Sequence, residues 1–542
     1  MVKLFSVSEM HELEVEANKS GLTYEVMMQN AGSGLANEIE IAYSHLSEKR
    51  IIALIGSGNN GGDALVALIH LAENNWNAVA YLVKERAPED PLINQFIETG
   101  GKVINGKDDN KFEKLKEYLR ESSIVIDGVF GTGIKLPLRG EVAQTLAYVK
   151  KFLATQISKP QVVAVDCPSG VDCETGETAD ETIPADLTVT MAGIKIGLIK
   201  FPAAQIVGDV RIASIGSIND LKNYKNNKKV ILDKVLIKNI LPERPRESHK
   251  GTFGTALIIA GSVNYTGAAL LAGKAAYRSG VGLVTTAVPA PLHDVLAGQF
   301  PESTWILLPH EMGVISADAV RVVNSNLDRA TAILIGPGFG LEDTTREFLH
   351  KLLSESKSAI TGDIGFVHEA ESGSTRKGLQ KPVVVDADGL KLISKIADWY
   401  KLLPSRSILT PHPGEMSVIT GLSTQEIQAN RIAIAAEYSK KWGHIVVLKG
   451  AYTIISAPDG QMAVVPVASA ALAEAGTGDV LAGLIVGLRS QGVEAYNAAC
   501  AGAWIHAMAG MHAAERIGNN ISVIAGDVLD AIPSVISDLA QQ

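Results

Sequence analysis

Short, continuously apolar runs alternate with longer amphipathic stretches along most of this chain. Residues 51–55, 78–83, 124–126 and 162–165 are apolar without a polar face, which predicts strands covered on both sides. Between them, 64–73 and 111–121 carry helical spacing, and 23–46 predicts a long helix capped by Thr23. Strand and helix in alternation imply βαβ units and a parallel sheet. The pattern resumes at 256–260, 283–287, 332–335, 383–385, 407–409 and 445–448. A polar interruption at 219–229, NDLKNYKNNKK, predicts a linker, and 358–380 has so little apolar periodicity that it predicts a surface insertion. The expectation is two three-layer α/β domains, 1–219 and 228–542, the first with a Rossmann-like parallel sheet and the second with a sheet flanked by helices.

Composition narrows the classes. With 542 residues the chain exceeds one ordinary core, and its 51 glycines gather at strand-to-helix junctions. A net charge of −10 without a concentrated Lys/Arg face argues against nucleic-acid binding. Small anions remain possible, because backbone N–H groups at helix starts hold them without side-chain charge. Cys167, Cys173 and Cys500 form neither a CxxC pair nor a zinc spacing, so a reduced, cytoplasmic setting is expected. Glu9, Glu12, Glu14 and Glu16 rule the first residues out as a signal peptide. The uncharged stretch 251–273 is rich in Gly, Ser, Thr and Asn, which suits a buried α/β segment better than a membrane span.

Two glycine–aspartate loops carry candidate chemistry. The first, GSGNNGGD at 56–63, follows strand 50–55 and contains GxGxxG, with Glu85 closing the next strand. A dinucleotide-dependent oxidoreductase is one reading, and a turn that packs helix on strand is another. The neighbouring loops tilt the balance. Asp127 and then Gly131-Thr132-Gly133 follow one strand, and Asp166-Cys167-Pro168-Ser169-Gly170 follows the next. Asn60, Asp127 and Ser169 make an oxygen-rich set suited to a hard cation, and Asp166 suits a general base or hydrogen-bond acceptor. Any one Asp alone reads better as a helix cap or turn acceptor, but three at one sheet edge do not.

The second loop, Ala475-Gly476-Thr477-Gly478-Asp479, opens an apolar helix at 480–488. Successive N–H groups there form an anion pocket, and Asp479 beside it is placed to accept a proton from a hydroxyl near the phosphate. A simple helix cap is the competing reading, of equal weight for so short a motif. Other strand ends add TPHPGE at 410–415, LKG at 448–450, GPGFG at 336–340 and DAD at 386–388.

NNGGD, DGVFGTG at 127–133 and DCPSG at 166–170 resemble the NAD(P)HX epimerase family, the YjeF N-terminal domain, over roughly residues 1–215. The resemblance implies K+ at Asn60, Asp127 and Ser169. It places the hydrated nucleotide against Asn59, Asn60, Gly61, Gly62 and Asp63, against the loop Gly131, Thr132, Gly133, Ile134 and Lys135, and against Asp166. Ala64 stands where the family usually has Gly. His249-Lys250-Gly251, GPGFG, TPHPGE, LKG and AGTGDVLAG resemble the ADP/ATP-dependent NAD(P)HX dehydratase family, whose fold is ribokinase-like, over roughly residues 230–540. That resemblance implies ADP or ATP, with Mg2+, at Lys449, Gly450, Ala451, Tyr452 and Thr453. The same nucleotide would meet 469–478, including Ala475, Gly476, Thr477 and Gly478. Gly338, His412 and Asp479 would face the hydrate. Ala468-Ser469-Ala470 replaces the family's usual Gly-Asn-Pro, and Glu474 beside the anion pocket is unexpected. Together the resemblances imply repair of hydrated NAD(P)H by epimerisation and nucleotide-driven dehydration, with Asp166 and Asp479 as catalysts, in a homo-oligomer. The alternatives are a hydroxymethylpyrimidine- or hydroxyethylthiazole-type kinase fused to a nucleotide-binding or scaffold domain, and an NAD(P)-dependent oxidoreductase.

Overall fold

The computed structural model describes residues 2–87, 89–354 and 379–540, so the expected insertion at 358–380 lies, except for Leu379 and Gln380, outside the described residues. The chain divides into two compact units, Val2–Lys229 and the residues from Val230 onward.

In the first unit the strands are β1 (Val2–Phe5), β2 (Arg50–Ile55), β3 (Asn77–Leu82), β4 (Lys102–Asn105), β5 (Ile124–Gly128), β6 (Gln161–Val165), β7 (Leu187–Met191), β8 (Ile194–Lys195) and β9 (Asp209–Ala213). Seven of them form a sheet in the order β4-β3-β2-β5-β6-β7-β9, and every pairing is parallel. The chain leaves β2 toward β4 on one side and returns through β5 on the other, so the strand order reverses between β2 and β5. Open α/β sheets bind ligands at the carboxyl ends of strands beside such a reversal. Helix Tyr24–Ala42 begins where its cap predicts, with Thr23 accepting from the Val26 N–H. It buries Met27, Ala31, Leu35 and Ile39, spaced as one helical face.

The polar stretch at 219–229 is not an open linker. Lys222–Asn226 is a short helix, Tyr224 lies 6.3 Å from the Phe5 ring, and Glu16 accepts from the Lys222 and Asn223 N–H groups. Its Asn223 and Asn227 side chains donate to the backbone carbonyls of Glu12 and Leu4, and Lys229 pairs with the Glu9 carboxylate, which polarity alone could not reveal. Strands β1, β4, β7, β8 and β9 escaped the sequence reading, because short or mixed runs give too few residues to show a period.

The second unit carries β10 (Lys229–Ile231), β11 (Thr255–Ile259), β12 (Leu283–Pro289), β13 (Thr304–Leu308), the hairpin β14 (His310–Glu311) and β15 (Val314–Ile315), β16 (Ala332–Ile335), β17 (Val383–Val385), β18 (Ile408–Leu409), β19 (Ile445–Leu448), β20 (Ile454–Ser456) and β21 (Met462–Val464). Its sheet runs β13-β12-β11-β16-β17-β18-β19-β20-β21-β10. Pairing is parallel from β13 to β19 and antiparallel through β20 and β21. The C-terminal helices Thr477–Ser490, Ala495–Ile517 and Ala525–Ala540 pack with Thr266–Arg278 over this sheet in one large apolar core. Among the described residues, no helix is long and apolar enough to cross a membrane.

Candidate active sites

In the first unit, NNGGD is the first turn of a helix, Asn59–Glu73, and not the turn preceding it. Its glycines have ordinary helical φ and serve close packing. A Cβ on Gly61 would stand 2.1 Å from the Gly56 carbonyl oxygen, and one on Gly62 would stand 2.7 Å from the Met28 sulfur. Arg86, paired with Asp90 at 2.7 Å, donates to the Gly56 and Gly58 carbonyls and fixes the loop from behind. Gly61→Ala is therefore expected to distort the loop and cost about 1–3 kcal/mol of stability as an overpacking change. A thermal melt of the variant within error of the parent's would contradict this.

Behind that helix start the expected cation residues do come together. Asp127, at the end of β5, is fully buried and accepts from the Ser169 N–H at 2.7 Å and the Ser169 hydroxyl at 2.5 Å. The Ser169 Oγ in turn accepts from the Phe130 N–H. Asn60 donates its amide to the carbonyls of Phe130 and Val165, which leaves its Oδ1 beside Gly131. Burial pushes the Asp127 carboxyl up, and only hydrogen bonds from Ser169 and Val129 oppose it. From Gly131 the chain continues through Thr132, Gly133, Ile134 and Lys135 as a half-exposed loop.

Asp166 follows β6 in a left-handed conformation, φ +63°. Its Oδ1 pairs with the buried ammonium of Lys195 and accepts from Thr190 and from the Met191 N–H. Lys195, on β8, also donates to the Thr190 hydroxyl and the Met191 carbonyl. Two further acids feel this pair. Burial pushes Asp63 well up, and the charges of Asp166 and Glu14 push it further while Lys195 opposes. Glu14, from helix Val7–Lys19, is likewise raised by burial, against Lys195. The arrangement is one cation among three acids, with burial and the neighbouring carboxylates pushing Asp63 toward its protonated form. Lys195 and Glu14 were missed in the sequence. A lone lysine inside the apolar run MAGIKIGLI was the available signal for the first, since a charge there needs a buried partner.

The second unit holds a cavity of ≈ 480 Å3 at the carboxyl ends of β17, β18 and β19. Lys449 follows β19, and its Nζ lies 2.7 Å from Asp386 Oδ1 and 3.5 Å from Glu415 Oε2. Burial lowers the Lys449 ammonium, but Asp386 and Glu415 outweigh it and hold the group above its ordinary value. Thr410 donates to the same Asp386 oxygen at 2.7 Å, while the buried Oδ2 has no hydrogen-bond partner. Gly476, in the left-handed region at φ +90°, turns the chain into helix Thr477–Ser490, whose first turn contains Asp479. No side chain caps this helix, so the cap reading of Asp479 does not hold. Burial raises the Asp479 carboxyl to about 7, with the Asp386 charge adding and Lys449 opposing.

His412, expected to face a substrate, lines the cavity and also caps helix Pro413–Thr420, its Nδ1 accepting from the Gly414 and Glu415 N–H groups. Gly450, Ala451, Thr453 and Ala475 through Gly478 line the cavity. Tyr452 and Gly338 are not among its lining residues. Tyr452 sits at φ +52°, and Gly338 follows β16 with its open side against Tyr265 and Ala268. The GPGFG loop is tied to the next strand end instead, through the Gly340 N–H on Asp388. In place of Gly-Asn-Pro, Ser469 accepts from the Ala471 N–H and caps a short 3-10 turn, Ala470–Leu472. Glu474 lines the mouth with its side chain exposed.

Comparison with known proteins decides the family. The NAD(P)H-hydrate dehydratase family model matches residues 256–534, and the YjeF-related protein N-terminus model matches 24–197. A bifunctional NAD(P)H-hydrate repair enzyme from Moorella thermoacetica is 33% identical over 99% of this chain and 97% of its own. The chain belongs to the bifunctional NAD(P)H-hydrate repair enzymes. It joins an epimerase half to an ADP/ATP-dependent dehydratase half. The Thermofilum pendens enzyme of that name is 31% identical over 96% of this chain and 93% of its own. A Bacillus subtilis ADP/ATP-dependent NAD(P)H-hydrate dehydratase co-crystallised with ATP and Mg2+ is 29% identical over 57% of this chain and 98% of its own, at a TM-score of 0.46. The cavity thus lies in the dehydratase half, and the Asp166–Lys195 pair lies in the epimerase half.

Proposed function

We propose that the dehydratase half binds ADP or ATP at the Gly476–Gly478 turn and the loop after Lys449, and that Asp479 is its base. The observation that carries this is a carboxyl poised at about 7 beside an anion-binding helix start and the Lys449 ammonium. A general base works best when it titrates near the working pH. The hydrate's C6 hydroxyl gives its proton to Asp479 as its oxygen attacks the terminal phosphorus of the nucleotide, whose bond to the bridging oxygen breaks and releases AMP from ADP, or ADP from ATP. The C6–O bond then breaks with phosphate leaving, a proton is lost from C5, and the double bond of NAD(P)H is restored. Mg2+, when bound with the nucleotide, neutralises phosphate charge. Asp386, whose Oδ2 has no hydrogen-bond partner, would be the carboxylate to hold it, since Mg2+ sites are built from one or two carboxylates and substrate phosphates. His412 and Gly338 are assigned to contacts with the hydrate, and Tyr452 to contacts with the nucleotide.

In the epimerase half, Asp166 and Asp63 are the acid–base groups at C6, with residues 59–63 and 131–135 holding the nucleotide. K+ fits Asn60 Oδ1, Asp127, Ser169 and the Phe130 carbonyl, an all-oxygen set around a buried carboxylate that no side-chain cation neutralises. Residues 1–219 and 228–542 are assigned to the two activities, in a cytoplasmic homo-oligomer. The deciding experiment mixes racemic hydrated NADH with the full chain and ADP or ATP and follows recovery of reduced nicotinamide absorbance. Full recovery supports both assignments, recovery of only one epimer removes the first, and no recovery removes the second. Exchanging K+ for N-methylglucamine is expected to slow only the epimerisation-dependent phase. An unchanged biphasic trace would refute the cation assignment.

A further inference from the structure

Arg431 opens helix Arg431–Trp442 and reaches back to the chain leaving β19. Its Nη2 donates to the Leu448 carbonyl at 3.1 Å, and its Nη1 to the Lys449 carbonyl at 3.3 Å and the Gln428 side-chain oxygen at 3.1 Å. All three partners are neutral. Burial alone lowers the guanidinium, to about 10, so it stays charged at neutral pH with no acid beside it. A cation drawn out of water against neutral oxygens is costly, and anchoring a strand end does not require one.

The peptide it grips belongs to the dehydratase cavity. Gly450 lines that cavity at φ +138°, in the region that favours glycine, and a Cβ there would stand 2.8 Å from Arg431 Nη1. In a trans peptide the carbonyl and the following N–H point in opposite directions. Arg431 draws the Lys449 carbonyl to itself, so the Gly450 N–H is turned away from the guanidinium. The Thr453 hydroxyl donates to the Gly450 carbonyl at 2.8 Å and turns the Ala451 N–H in the same manner. Ala451 also lines the cavity, and neither N–H has a hydrogen-bond partner among the described residues. Successive free N–H groups in a turn of this kind form a concavity for an anion.

We propose that Arg431 is a positioning residue for the nucleotide: its fork holds the Lys449 carbonyl and thereby frees the Gly450 N–H to donate to a phosphate oxygen of ADP or ATP. This rests on the nucleotide site proposed above and adds the residue that shapes it. Arg431 is not among the residues lining the cavity, so it acts through the peptide it holds and not by touching the ligand. Without the fork, the Lys449 carbonyl is free to rotate toward the cavity, where its lone pairs would repel phosphate and its N–H neighbour would be withdrawn.

The test titrates the full chain calorimetrically with ADP and measures the KM for the S hydrate at saturating ADP. Arg431→Gln is expected to weaken ADP about tenfold or more and to leave the hydrate KM within about twofold. Arg431→Lys keeps the cation but cannot fork across two carbonyls, and it is expected to behave like Arg431→Gln. Unchanged ADP affinity in Arg431→Gln overturns the inference. So does a matching rise in the hydrate KM, which marks a residue that only supports the fold. Parental affinity in Arg431→Lys shows that charge alone suffices and overturns the positioning role. Should Arg431→Gln not fold, the same two readings on Arg431→Lys decide. Lys449→Met separates the inference from the site beneath it. ADP weakened by Lys449→Met and not by Arg431→Gln overturns the inference alone, whereas ADP weakened by neither removes the nucleotide site from this loop.

Discussion

Asp479→Asn is expected to lower nucleotide-dependent recovery of NADH by about 10²–10⁴-fold, the usual contribution of a positioned general base. ADP binding should survive, because the helix-start N–H groups and Lys449 are untouched. In the parent, the rate of the dehydratase half should rise with pH through about 7 as the Asp479 carboxylate forms, and in the variant this limb should vanish. Stability has the opposite slope. Folded Asp479 keeps its proton to about 7, whereas the unfolded group loses it near 3.8. Between those values the folded state binds more protons, so stability falls as pH rises through that window. Asparagine removes this loss, and the variant's melting temperature should gain on the parent's between pH 5 and pH 8. Activity and melting measured on the same preparation check the claim. A variant with parental recovery of NADH, or a parental rate flat across pH 6–8, would sink the assignment.

Lys195→Met is expected to cost about 3–5 kcal/mol in the epimerase half, the penalty for removing one partner of a buried ion pair. Three acids would remain together without their cation. Dehydration of the S hydrate with ADP should persist while the slower phase that draws on the R hydrate is lost. The unfolding transition of the first unit, followed at pH 8 alongside the two recovery phases, tests this. A midpoint equal to the parent's at pH 8 would show that the pair is not the organising charge of the site.

Much of the chemistry was legible because it sits on short motifs at strand ends. Asn60, Asp127, Ser169 and Asp166 are far apart in sequence, yet each follows an apolar run ending at one sheet edge, and alternation of strand and helix implies that edge. The GTGD turn was legible for the same reason, with glycine needed where φ reaches +90°. What the motifs could not convey is the partner of each charge. Lys195 comes from a two-residue strand and Glu14 from the first helix.

Sequence alone determined the two α/β halves, the loops that carry chemistry and the family those loops belong to. Periodicity and turn composition are local properties, and they survive without knowledge of what packs on what. The tertiary structure decided that NNGGD is a helix start pressed on the Gly56 carbonyl, and that the polar stretch at 219–229 folds onto the first unit. It also decided which charges share a low-dielectric space. Burial and neighbouring charges set whether a carboxyl is an acid or a base, and those are properties of residues brought together from distant parts of the chain.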